Sequence, residues 1–430
     1  DGLTAGLSPV QRRTGTLLHL SCSTVRPAMR LYRLFVFLLS CCALGARADT
    51  YELTWTLKPE PKSKSALGSL ALGRGAGEIR EIDLHFPSTY TDIRADGDLK
   101  RKGERAVWTP PRRGGAIHWR VAIEQRRADG AYRSHFPGDW AIFRGDRVFP
   151  AATVRGAKGS ESRATLVLDL PKGWHKDTPY LANPDGSFRV DDPDRRFDRP
   201  VGWMAVGAIG TRRDLIAGSE IALAAPRDEG ARRMDMLAFL SFTLPTMKDA
   251  FGTLPEKILI VQAPDPMWRG GLSGPRSLYL HLDRPMVSEN ATSPLLHELT
   301  HVATRIRGAT DADDWIAEGL AEFYGFEILR RAGGISDERY QRTLGWLGNW
   351  GKDVRTLRSE GSKAEVTARA VVLLEDLDRE IREQTEERRN LDDVTRRLMK
   401  VRKVSTKRFI ETAEQVAGGK LRTLDTPLLR

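Results

Sequence analysis

Ser293-Pro294-Leu295-Leu296-His297-Glu298-Leu299-Thr300-His301-Val302 is the stretch whose reading decides the fold. Ser293 is a good helix N-cap, and Pro294 suits the first helical position, where its missing N–H costs nothing. Leu295, Leu296, Leu299 and Val302 supply the apolar side of a helix. Residues four apart share one helix face, so His297 and His301 present both imidazoles in the same direction, with Glu298 next to them.

His-Glu-x-x-His is the zinc-hydrolase pattern. It predicts His297 and His301 as Zn2+ ligands and Glu298 as the general base acting on the metal's water. Gly308 is expected to end this helix. Asp311, Asp313 and Asp314 can cap the next one, which runs through Glu318 to about Arg331 and stops at Gly333-Gly334. Two helices joined by a short turn lie antiparallel, which returns Glu318 to the histidines. Two histidines and a later carboxylate make the His₂Glu set of a catalytic zinc, with a fourth position left for water. Glu322, one turn past Glu318, is placed to accept a hydrogen bond from a ligand histidine and fix its tautomer.

The N-terminus reads as a targeting segment. Arg30 and Arg33 follow Met29, an apolar run spans 34–44, and Ala46-Arg47-Ala48 closes it. That is the order of a secretory signal peptide, too short to span a membrane. Residues 1–28 show no pattern and read as upstream sequence; 29–48 is the expected signal peptide, cleaved after Ala48. The rival reading is a lipid anchor on Cys41. Export to a bacterial periplasm or outside the cell follows from either. Cys22, Cys41 and Cys42, the three cysteines, all precede the cleavage point. The mature chain is therefore expected to fold without disulfides and to bind metal through histidine and carboxylate alone. The chain carries a formal charge of +11. Losing the six arginines and one aspartate of 1–48 leaves +6, too mild a surplus to argue for nucleic acid. Asn290-Ala291-Thr292 is a glycosylation sequon, relevant only in a eukaryotic secretory pathway.

From 49 to 201 the pattern alternates at period two, in Tyr51 to Leu57, Ala116 to Ile123 and Ala164 to Leu170, with Gly, Pro and Asp clusters between. This predicts an all-β sandwich, with Tyr180 to Pro200 as its exit loop. A second, α+β and mainly helical domain is expected over 202–430. It opens with a helical pattern over Glu229 to Phe251 and a buried strand over Lys257 to Gln262. Ser277 to Leu282 alternates and is expected at a sheet edge. Helices follow around Tyr340 to Trp350, over Ala364 to Arg382 and over Leu391 to Val401, with a short last one.

The His-Glu-x-x-His motif followed by Trp315-x-x-Glu318-Gly319-x-Ala321-x-x-Tyr324 resembles the gluzincin metallopeptidases of the aminopeptidase N clan, and the glycyl aminopeptidase branch in particular. The helix over Arg369 to Arg382 and Leu391-Asp392-Asp393-Val394 add to the likeness. The resemblance covers most of 49–400. It implies a β domain followed by a thermolysin-like catalytic domain, zinc on His297, His301 and Glu318, and a peptide or protein substrate. Three departures stand out. The interval from His301 to Glu318 is slightly shorter than the family's. Gly270-Gly271-Leu272-Ser273-Gly274 occupies the place of a substrate-binding strand whose glutamate holds the substrate's amine, but has no acidic residue; its glycines still let a substrate backbone pair there. Thr367 stands where the family has an oxyanion-stabilising tyrosine, leaving Tyr340, Tyr324 and His281 as other candidates for that role.

These readings predict an exported zinc metallopeptidase, aminopeptidase or endopeptidase, with no membrane-spanning helix. The alternative is a catalytically weak zinc-binding relative that serves as a peptide-binding or scaffold module, as Thr367 would explain; a third is a zinc hydrolase acting on something other than peptides.

Overall fold

The computed structural model describes residues 50–191, 197–362 and 364–430. The upstream residues 1–28, the expected signal peptide 29–48 and Cys41 lie outside the described residues.

The first half of the described chain is built of strands. Thr50–Glu60 carries the predicted alternation, with Tyr51, Leu53, Trp55 and Leu57 buried and their neighbours half-exposed. It lies in a six-stranded sheet between Ser65–Leu72, antiparallel to it, and Glu161–Leu168, parallel to it. A four-stranded sheet runs in the order Ala151–Gly156, Ile79–His85, Arg105–Thr109, Asp98–Lys102. Inward residues of both sheets share one core: Trp55, Leu70 and Trp119 from the first, Ile82, Leu84 and Trp108 from the second. Trp55 and Trp119 meet edge to face at 6.1 Å, the arrangement favoured by the ring quadrupoles. The segment read as an exit loop includes a strand, Phe188–Val190, which extends the six-stranded sheet. Trp203–Gly207 pairs back with Trp140–Arg144 and His175–Asp177 in a three-stranded sheet.

A five-stranded sheet follows, in the order Ile209–Ile216, Ser219–Pro226, Lys257–Ala263, Ser277–His281, Gly271–Gly274. Its middle strands are parallel and buried on both faces, so they read as unbroken apolar runs. Ile258, Ile260, Leu278 and Leu280 face the helices. Leu259, Val261 and Tyr279 face the other way, onto Trp140, Ile142 and Trp203. The strand expected at the edge, Ser277–His281, is internal. Alternation put it there wrongly: Lys257–Ala263 pairs along one of its sides and Gly271–Gly274 along the other, and its second face is covered by Trp203 rather than by water, with the Trp203 and Tyr279 rings 5.2 Å apart. The edge is Gly271–Gly274.

Among the described residues the α-helices are α1 (Gly145–Val148), α2 (Arg233–Phe251), α3 (Pro294–Thr304), α4 (Asp314–Arg331), α5 (Asp337–Trp350), α6 (Ala364–Gln384), α7 (Leu391–Val401) and α8 (Thr406–Ala417). The expectation that α3 runs to Gly308 is corrected: it stops at Thr304. Arg305 turns left-handed (φ 55°), and its N–H donates to the His301 carbonyl. Arg307–Gly308 is then drawn into a two-residue ladder with Lys403–Val404, 96 positions away in both pairs. Among the described residues no helix is long and apolar enough to cross a membrane.

Candidate metal centre

Helix α3 is fixed first by its own cap. The Ser293 hydroxyl accepts from the Leu296 N–H (3.2 Å) and donates to the Met286 carbonyl (2.5 Å). Leu295, Leu296 and Leu299 are fully buried against the sheet and α4. Truncating one such leucine to alanine typically costs about 2–5 kcal/mol. With that face inside, His297, Glu298 and His301 are left on the half-buried side.

A 3-10 turn, Asp311–Asp313, leads into helix α4 and is held by a capping box formed by Thr310 and Asp313. Asp313 also accepts from the backbone and hydroxyl of Thr406, both at 2.8 Å, and so ties the start of α4 to α8. Gly319 lets α4 approach α6: a β-carbon there would stand 2.8 Å from that of Ala370. Gly325 faces the His297 backbone, with 3.6 Å from its would-be β-carbon to the His297 nitrogen. These close approaches set Glu318 and Glu322 opposite the imidazoles.

The three side chains expected to hold zinc converge. His297 Nε2 and His301 Nε2 are 3.3 Å apart. Glu318 Oε2 is 3.4 Å from His297 Nε2, and Glu318 Oε1 is 3.4 Å from His301 Nε2. Tetrahedral zinc at about 2.0–2.2 Å from nitrogen and oxygen requires donors about 3.3–3.6 Å apart, so the donor set fits that ion. Glu322 Oε2 accepts from His297 Nδ1 at 2.9 Å. A carboxylate can only accept, so Nδ1 carries a proton, and Nε2 is the ring nitrogen turned to Glu318. Burial opposes charging His297, but hydrogen bonds to Glu318 and Glu322 outweigh it and push its pKa up to about 10. Burial likewise acts against ionised Glu318, and the two imidazoles overcome it, holding its carboxyl far below the usual range. Such a cluster of two bases and an anion is primed for a cation.

Glu298 sits at the edge strand. A β-carbon on Gly271 would lie 2.9 Å from Glu298 Cγ and 3.0 Å from Oε1. Gly270 is stacked on Trp268, with no room for a β-carbon. Gly270 to Gly274 thus form the ledge beside the cluster, with Gly271–Gly274 as a strand. The Thr367 hydroxyl bonds to Ser362 Oγ (2.8 Å), and the Ser362 N–H donates to Asp314 (3.0 Å), one turn before Glu318. The tyrosines named as other oxyanion donors are committed elsewhere: Tyr324 to Asp392 (3.0 Å), Tyr340 to Glu375 (2.7 Å). His281, whose backbone N–H donates to the Gly270 carbonyl, is grouped instead with Asp265 and Asp283, a second set of potential ligands. Its Nδ1 accepts the Asp283 N–H (3.1 Å), which leaves the proton on Nε2. Arg269 already supplies the cation there, bonded to Asp265 and 3.6 Å from Asp283. That grouping is an arginine-bridged surface cluster.

Sequence reading missed the residues that frame the ledge from the β half. Trp203 Nε1 donates to the Leu272 carbonyl (2.8 Å) and Arg144 Nη1 to that of Ser273 (3.4 Å). They lie 69 and 129 positions away, and no local pattern marks them.

No protein-family profile matches the sequence, and no curated protein matches it. Solved structures match it in fold. The aminopeptidase N family protein of Idiomarina loihiensis gives a TM-score of 0.62 at 15% identity, over 84% of this chain and 72% of that one. The M1 zinc metallopeptidase of Deinococcus radiodurans gives 0.56 at 16% identity, over 89% and 93%. A point mutant of that enzyme gives 0.58 at 15%, over 88% and 92%. This chain therefore has the fold of the M1 zinc metallopeptidases, strands first and helices last, in keeping with the resemblance in its motifs.

Proposed function

We propose that this chain is an exported zinc metallopeptidase that hydrolyses peptide bonds, with a β-sandwich domain over 49–201 and a thermolysin-like catalytic domain over 202–430. The reading rests on one observation above all: three donor side chains from two helices, spaced as tetrahedral zinc needs, beside a glutamate that lies under an edge strand.

His297, His301 and Glu318 would hold the ion, and Glu322 would keep His297 in the ligating tautomer. When bound, zinc polarises a carbonyl and brings the pKa of water to about 7. Glu298 takes the proton of the attacking water and returns it to the departing amine. Gly271, free of a side chain, lets the substrate backbone come close to Glu298, and the ledge from Gly270 to Gly274 offers that backbone a strand to pair with.

The test is the purified, zinc-loaded protein against an unbiased peptide pool, read by mass spectrometry beside its Glu298→Gln variant. Cleavage by the parent and none by the variant, at equal zinc content, is the expected result. No Glu298-dependent cleavage would favour the binding-module reading, for which Thr367 in place of a tyrosine speaks.

A further inference from the structure

The ledge is open at Gly271 and closed beyond it. The Gly270 carbonyl accepts from the His281 N–H at 3.0 Å. Antiparallel pairs alternate between bonded and non-bonded, so with the register Gly271↔Leu280 Leu272 and Gly274 turn their backbone groups inward. Gly271 and Ser273 turn theirs to the free edge. Ser273, about 7 Å further along, has its carbonyl covered by Arg144 Nη1 (3.4 Å). Gly202 closes in beside Gly274, its Cα 3.5 Å from where a β-carbon would be. A peptide strand paired with Gly271 therefore runs into a guanidinium instead of more backbone.

Arg144 keeps donors to spare. Its Nε is bound to Asp146 (3.0 Å), its contact with Ser273 is long, and Nη2 donates to nothing among the described residues. The side chain is 29% exposed, enough to be reached. A guanidinium edge matches a carboxylate in two parallel bonds and repels an ammonium.

We infer that Arg144 ends the substrate lane two residues past Gly271, at Ser273, and recognises a carboxylate there. The inference rests on the peptidase reading for what the lane is used for, and it sets the substrate class: peptides with a carboxylate within one or two residues of the cut. The free C-terminus and an acidic side chain offer the same chemistry. The alternative occupant, a free amine, would have to use Asp146.

Matched peptides separate these sources: free acid against C-terminal amide, Glu against Gln next to the cut, and free against acetylated N-terminus. Each is assayed for cleavage by the zinc-loaded full chain and, by tryptophan fluorescence, for binding to Glu298→Gln. A carboxylate is expected to improve both about tenfold or more, the size of a charge-assisted pair. Arg144→Gln abolishes that preference and Arg144→Lys restores part of it, with circular dichroism and melting checking that both fold. Loss on amidation assigns the C-terminus; loss on Glu→Gln assigns a side chain.

Equal use of both members of each pair, a preference that survives Arg144→Gln, or a requirement for a free amine would overturn the inference. Cleavage without carboxylate preference removes the subsite and keeps the peptidase. Carboxylate-dependent binding without cleavage removes the peptidase and keeps the subsite. Neither binding nor cleavage removes both.

Discussion

Gly271 lies directly under Glu298, so close that a β-carbon would stand 2.9 Å from the glutamate's Cγ. Glycine is thus required at this point of the edge strand by the position of Glu298 and not by backbone conformation.

Gly271→Ala is expected to tilt Glu298 away. The atoms it meets are the mobile end of a side chain, so stability should hold, while misplacing a catalytic group by about 1 Å can cost about 100-fold in rate. The expected outcome is a fall of about 10–100-fold in kcat with zinc content and melting temperature unchanged. An unaltered kcat would mean Glu298 does not work from where it stands.

Glu322→Gln keeps the shape but weakens the bond to His297 Nδ1, now 2.9 Å. Residues that orient metal-bound histidines are typically worth about 10–100-fold in affinity. Competition against a chelator should show zinc held more weakly by that factor. An unchanged affinity would make Glu322 an ordinary half-exposed carboxylate.

Buried Glu327 pairs within α4 with Arg330 and Arg331, at 2.7–2.8 Å. Burial works against its charge, but the two guanidiniums prevail and hold its pKa below the ordinary 4.5. A depressed carboxyl stabilises the fold above its unfolded value and loses that contribution as pH falls through the folded one. Glu327→Gln should therefore lower stability at neutral pH, by about 3–5 kcal/mol as expected for half of a buried pair, and flatten the loss of stability below about pH 4.5. Urea midpoints across pH test this; parallel curves for parent and variant would refute it.

Asp177, on a strand of the β half, meets Lys257 of the five-stranded sheet at 3.2 Å, both almost fully buried, and also binds Arg213. Asp177→Ala leaves the Lys257 ammonium without this partner, with Glu220 at 3.1 Å remaining. A cost of about 3 kcal/mol or more is expected, and Lys257→Met in the same chain should recover part of it. If the double variant is no better than the single one, the pair does not couple the two regions.

The sequence by itself determined the helix pair and the cluster. A cap, a proline, an apolar stripe and two histidines four apart are all local, and helical geometry converts that spacing into a shared face. Glu318 and Glu322 followed from one further turn and helix. The strands of the first half were legible for the same reason, since alternation is a local consequence of one wet and one dry face. What only the tertiary structure decided is what depends on distant partners. The 277–281 strand lies inside its sheet because Gly271–Gly274 pairs along its outer side, and Trp203 covers its second face. Helix α3 stops at Thr304, and the following residues are drawn into a ladder with Lys403–Val404. Most of all, Glu298 meets Gly271, and Arg144 meets Ser273 across 129 residues. Such contacts arise from packing one layer on another, which no spacing along the chain encodes.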